Sequence, residues 1–163
     1  IAPDLLCMSK GITGGYLPLS CVLATDAIFD AFYDDDDARA FLHSHSYTGN
    51  ALACRAALTV LDIFRDDDVL AANRIKAARW TALAAPLASH PQVRNFRQQG
   101  MIWAFDVETD RADFARWCFA QGLAREILLR PIGRTVYFMP PYVVTDDEFA
   151  LLAARTSEIL DAV

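Results

Sequence analysis

Apolar residues crowd two short blocks near the start of the chain, Asp4–Met8 and Leu19–Thr25, and the glycine pair Gly14–Gly15 lies between them. Blocks this short, with little polar alternation, predict two strands buried in a larger sheet. A short helix is expected from Asp26 to Tyr33. The run Asp34–Asp37 after it reads as a solvated loop, because four adjacent carboxylates repel one another and lack the spacing of a metal-binding loop. From Gly49 to Phe64 the apolar positions recur with helical period among good helix formers. A second helix is expected to begin at Asp66–Asp68, where carboxylates suit the positive helix end, and to continue to about Ser89.

Beyond Pro91 the pattern changes. Val93–Gln98 and Met101–Glu108 read as strands around a turn at Gly100, and Asp110–Gln121 as an amphipathic helix closed by Gly122. Leu128–Arg130 and Thr135–Met139 are expected as two further strands around Gly133. Thr145 opens a last helix with Glu148 three residues on, the spacing of a capping box. Strand, strand, helix, strand, strand, helix describes an α+β domain. The resulting division is 1–65, a connecting helix over 66–90, and a small α+β domain over 91–163.

Composition narrows the function classes. The 163 residues are 54% hydrophobic with a formal charge of -6, and no window gathers Lys and Arg into a patch for nucleic acid. Charges interrupt every apolar stretch well short of a membrane span. The cysteines at positions 7, 21, 54 and 118 have no metal-ligand spacing and sit among apolar neighbours. They are expected to be buried free thiols of a reducing, cytoplasmic compartment. His43 and His45 alternate without a third ligand nearby, so no metal site is expected. A Gly-x-Ser-x-Gly elbow is absent, and the lysine near the glycines precedes them, unlike a phosphate loop.

Three places remain where chemistry could sit. Lys10 follows the first apolar block and precedes Gly11, Gly14 and Gly15; a lysine there can lose part of its solvation, which favours the neutral, nucleophilic amine. On local sequence it could equally be a solvent-facing residue before a turn. Ser44, Ser46 and Thr48 precede the helix near Gly49, where hydroxyls and free N–H groups can either bind an anion or cap the helix. Arg130, beside Pro131 and the Gly133 turn, can present a rigid fork to a carboxylate or remain a surface arginine. Tyr137, Met139 and Tyr142 would supply an apolar wall near it, with Phe138 in the core.

Taken in order, Ser9-Lys10-Gly11-Ile12-Thr13-Gly14-Gly15, then His43 to Asn50, then Arg130-Pro131 and Tyr137 to Tyr142 resemble the C-terminal half of a class III pyridoxal-phosphate-dependent aminotransferase. The resemblance extends from Pro3 into the last helix, and the final segment is most like the biotin-synthesis branch of the family. It implies a fold-type I α/β enzyme, with residues 1–65 ending its large domain, pyridoxal 5'-phosphate as cofactor, and a homodimer. Lys10 would form the Schiff base and shuttle protons. Ser46 would bind the cofactor phosphate across the subunit interface, and Arg130 the substrate carboxylate. The branch implies S-adenosylmethionine and 8-amino-7-oxononanoate as substrates. It also implies that this chain is part of a longer enzyme, with the groups that stack on the cofactor ring upstream of it and little activity in the piece alone. Ala51 departs from the proline common at that position. The alternatives are another class III aminotransferase acting on an ω-amino acid or diamine, and a non-catalytic oligomerisation piece.

Overall fold

A computed structural model describes residues 1–163, and the chain divides into two units, Ile1–Val69 and Leu70–Val163.

In the first unit, strand β1 (Leu5–Ser9) pairs antiparallel with β2 (Ser20–Ala24), Leu5 opposite Ala24 and Ser9 opposite Ser20. A 3-10 turn over Lys10–Thr13 leaves β1, and Gly14 and Gly15 follow with φ of 61° and 82°, a region where only glycine is free of side-chain strain. Both strands form as expected, but they are not buried: Leu5, Leu6, Val22 and Leu23 are 45–59% exposed. A two-stranded ribbon has no third layer to cover either face, although apolar residues on both faces are the pattern of a strand covered on both sides.

Helix α1 (Asp26–Asp30) is shorter than expected and passes into turns. Asp34–Asp37 is exposed as expected; Asp34 accepts from Arg39 at 2.7 Å, and Asp36 caps the 3-10 turn Asp37–Arg39. Helix α2 (Ala51–Asp66) starts on Asn50, whose side chain accepts the Ala53 N–H. It buries only Ala53 and Ala57.

The second unit holds the core. The helix expected through Ser89 is interrupted: α3 (Val69–Leu83) is followed by the single turn α4 (Ala85–Ala88), which carries Pro86 in its first turn. Proline lacks the N–H that would continue α3. The segment expected as a connector supplies Ala77, Trp80, Ala84 and Leu87 to this core. Strands β3 (Val93–Gln99), β4 (Ile102–Val107) and β5 (Thr135–Phe138) form an antiparallel sheet in the order β3-β4-β5. Trp103, Phe105 and Val107 alternate inward from β4, and Val136 and Phe138 from β5. Helix α6 (Asp146–Leu160) packs Phe149 against Trp80 with ring centroids 4.4 Å apart.

Three further expectations need correction. Helix α5 (Phe114–Leu123) begins later than Asp110 and contains Gly122 within it. The left-handed residue after the helix is Glu126, at φ 59°. Gly122 is required for packing instead, since a Cβ there would lie 2.9 Å from the Ile127 carbonyl oxygen. Leu128–Arg130 forms no strand; it passes as an extended link that buries Leu129, and only the bridge Ile132 to Thr135 precedes β5. Of the free cysteines, Cys118 alone is buried, while Cys7 is exposed because its strand is uncovered.

Candidate active site

Lys10 stands where β1 ends. Its backbone is left-handed, with φ of 56°, which is uncommon for a residue with a side chain. The following turn folds back through the glycines, so that Lys10, Gly11, Gly15, Leu17 and Ser20 form one side of an open cavity of about 1260 Å³. His43, His45, Tyr47 and Thr48 form the other. Lys10 itself is exposed, so in this chain the apolar run does not strip its solvation.

The segment carrying Ser46 is shaped by its own hydrogen bonds. The His45 N–H donates to the Thr48 hydroxyl, the Thr48 N–H to the His45 carbonyl, and the Tyr47 N–H to His45 Nδ1. Gly49 then turns at φ 68° into the α2 cap. Ser46 lies exposed at the tip of this turn, between the two cavity residues His45 and Tyr47 but not on the wall. Thr48, one of the hydroxyls weighed as an anion ligand, is used inside the turn.

Lys76, the other lysine of the chain, lies in α3 between Arg74 and Arg79 and is tethered. Its Nζ donates to the carbonyls of Tyr142 and Val144 and lies 5.3 Å over the Trp80 ring. That leaves Lys10 as the lysine presented to a cavity.

Arg130 belongs to the second unit. It is exposed, and together with Leu128, Tyr137, Met139, Pro140 and Pro141 it lines a cavity of about 320 Å³. Of the expected apolar wall, Tyr137 and Met139 line this cavity with Arg130, whereas Tyr142 lines another, beside Leu70 and Asn73, and Phe138 is in the core as anticipated. Two carboxylates elsewhere in this unit tie its elements together. Asp106 on β4 accepts from the Asn95 amide at 3.0 Å and the Thr135 hydroxyl at 2.8 Å, which lower its carboxyl below the usual range and fix the start of β5. Asp146 accepts the Trp80 indole N–H at 2.7 Å and pairs with Arg79, and is lowered chiefly by that indole bond. Sequence reading missed the partners Asn95, Trp80 and Thr135; the cross-strand alternation of β4 could have suggested the last of these.

The fold is that of the fold-type I pyridoxal-phosphate-dependent transferases. Within that class the Aminotransferase class-III family model matches residues 1–160, and the chain belongs to that family. Adenosylmethionine-8-amino-7-oxononanoate aminotransferase of Helicobacter pylori is 44% identical over 170 residues, covering 99% of this chain and 38% of that protein. The crystal structure of the enzyme of the same name from Methanocaldococcus jannaschii superposes with a TM-score of 0.87 at 30% identity, covering 99% of this chain and 39% of that one. An amine transaminase from an uncultivated Pseudomonas species, solved in its PLP-bound form, gives 0.83 at 29% identity over 99% of this chain and 39% of its own. The chain thus spans about two fifths of the length of these relatives.

Proposed function

We propose that the chain forms the lysine-bearing part of an enzyme that moves an amino group from S-adenosylmethionine to 8-amino-7-oxononanoate, giving 7,8-diaminononanoate for biotin synthesis. The observation that carries the reading is Lys10: one exposed primary amine lining an open cavity together with Gly11, Gly15, Leu17 and Ser20 on one side and His43, His45, Tyr47 and Thr48 on the other. Those residues fit pyridoxal phosphate, because a carbonyl group needs an amine that can both bond and let go, and Lys10 presents one to the cavity. When bound, the cofactor supplies the electron sink that makes the substrate Cα–H acidic.

The chain's own residues then have separate tasks. Lys10 Nζ would hold the cofactor's aldehyde carbon and, once freed from it, would serve as the base that moves the substrate proton. The Ser46 hydroxyl donates to the cofactor phosphate of the partner subunit in a homodimer, a role its exposed position leaves open to it. Arg130 forks onto the carboxylate of 8-amino-7-oxononanoate while the apolar wall Tyr137–Pro141 receives the acyl chain. An ω-amino acid transaminase would have less use for that wall, which favours the biotin reading. A cytoplasmic location goes with the expectation of reduced, free thiols.

Borohydride reduction of the full-length enzyme followed by peptide mapping is the direct test. The pyridoxyl label is expected on Lys10 and lost in Lys10→Ala; a label on Lys76 would reject the assignment.

A further inference from the structure

Thr13 is the one fully buried polar side chain of Ile1–Val69, at 1% exposure. It closes the 3-10 turn that Lys10 opens. Threonines within helices commonly bond back to the carbonyl four residues earlier, as Thr59 in α2 does to that of Arg55. Thr13 bonds forward instead, donating to the Leu17 carbonyl at 2.5 Å across Gly14, Gly15 and Tyr16.

That bond spans the softest backbone near the cavity. Gly14 and Gly15 can take many conformations, and the loop they form has the Leu17 end on the same wall as Lys10. Lys10 is in an uncommon left-handed conformation, which persists only where its surroundings hold it. The loop is also seated on α2, for a Cβ at Gly14 would stand 3.4 Å from Val60 Cγ2. The remaining ties are main-chain bonds, Gly14 N–H to Gly11 O and Tyr16 N–H to Thr13 O. Thr13 therefore supplies the only side-chain hydrogen bond within Lys10–Leu17.

We infer that Thr13 is a positioning residue for Lys10: its buried hydroxyl clamps the Lys10–Leu17 loop and so sets where the amine stands. The inference rests on the reading of Lys10 as the cofactor lysine and adds the group that holds it. It acts through the backbone and does not touch a substrate.

The test uses the full-length enzyme with Thr13→Val, which keeps the shape and removes the donor, and Thr13→Ser, which keeps the donor. In the cofactor-free protein, Thr13→Val should exchange the Gly14 and Tyr16 amides about tenfold faster, the equivalent of one lost buried hydrogen bond. With pyridoxal phosphate added, its borohydride-trapped label on Lys10 should fall by about the same factor. The kcat should drop while KM for both substrates holds, and Thr13→Ser should restore each readout. Exchange and labelling unchanged in Thr13→Val would overturn the role. So would a Thr13→Ser enzyme as impaired as Thr13→Val, since methyl packing would then be responsible. Should Thr13→Val fail to accumulate, Thr13→Ala carries the same expectations. A wild type that takes no label on Lys10 would sink the aminotransferase reading itself, whereas a wild type that labels normally beside an equally labelled Thr13→Val sinks only the clamp.

Discussion

Lys76 illustrates how far a side chain's environment can depart from its local sequence. Among Arg74 and Arg79 it resembles a solvated helix face, yet its carbonyl partners at Tyr142 and Val144 come from 66 and 68 residues along the chain. No local pattern encodes such a contact. Replacing it, as Lys76→Met, should cost about 1 kcal/mol of stability through the lost hydrogen bonds and ring contact, while leaving the pyridoxyl label on Lys10 intact. Denaturant unfolding beside label mapping separates the two effects. Arg130 makes the opposite case, because its neighbours Leu128 and Tyr137–Pro141 are close in sequence and were legible from it. Arg130→Ala in the full enzyme should weaken 8-amino-7-oxononanoate by about 2 to 5 kcal/mol, the range for removing one member of a desolvated ion pair. Arg130→Lys should recover part of that, keeping charge but losing the fork. A substrate analogue without the carboxylate should bind wild type and Arg130→Ala alike; if the mutant still discriminates as wild type does, the carboxylate is held elsewhere. Cysteine reactivity follows burial: the Cys118 thiol is pushed up to about 11 by desolvation, while Cys7 is exposed. Iodoacetamide at mildly alkaline pH should therefore modify Cys7 in the native chain and leave Cys118 untouched until it unfolds.

The elements divide into those set by neighbouring residues and those set by packing. Thr145 and Glu148 form a complete capping box, with the Glu148 N–H on the Thr145 hydroxyl and the Glu148 carboxylate on the Thr145 N–H. Its four-residue span made it readable in advance. Thr145→Ala should cost about 1 kcal/mol, seen as a lower denaturation midpoint at unchanged m-value. The strand expected at Leu128–Arg130 failed for the opposite reason: three residues of mixed character have no periodicity to measure, and the core takes only Leu129 from them. Gly122 was read as a helix stop because glycine often is one, but here the demand comes from the Ile127 carbonyl beside it.

Acid stability is also decided at this level. Asp106, Asp146 and Glu148 all have carboxyls held below their ordinary values by hydrogen bonds to the charged form, from Asn95, Trp80 and Thr145 respectively. Groups depressed in the folded state bind fewer protons there than in the unfolded chain. Their stabilisation is complete above the unfolded carboxyl values of 3.8 for aspartate and 4.5 for glutamate, and is lost as pH falls through the lower folded values. Thermal midpoints should accordingly decline below about pH 4, and less steeply in Asp146→Asn.

Across the whole chain, burial is uneven. The large apolar core lies in Leu70–Val163, whereas Ile1–Val69 buries only Thr13, Ala53 and Ala57 and leaves Leu5, Val22, Phe41 and Leu58 more than half exposed. Unaided, such a unit has little apolar burial to set against its conformational entropy. Hydrogen exchange on this chain should show protected amides in β4, β5 and α6 and rapid exchange in β1 and β2; equal protection in both units would contradict the burial pattern. The division into strands and helices was visible in the sequence of both units, since it depends on period. The extent of cover was not, because an apolar strand reads the same whether or not anything lies over it.

The aromatic packing around Phe149 has an optical corollary. All three tryptophans, Trp80, Trp103 and Trp117, fall in Leu70–Val163, and two of them are fully enclosed with their indole N–H groups bonded to Asp146 and Thr81. Light absorbed at the red edge of the near-ultraviolet band is thus re-emitted only from that unit, at wavelengths set mostly by a dry, hydrogen-bonded environment. Tyr16, Tyr33 and Tyr47 are the intrinsic chromophores of Ile1–Val69. Emission from this chain is a one-sided gauge: a native tryptophan spectrum certifies the core around Phe149 and carries no information about whether the strand leading to Lys10 is in place.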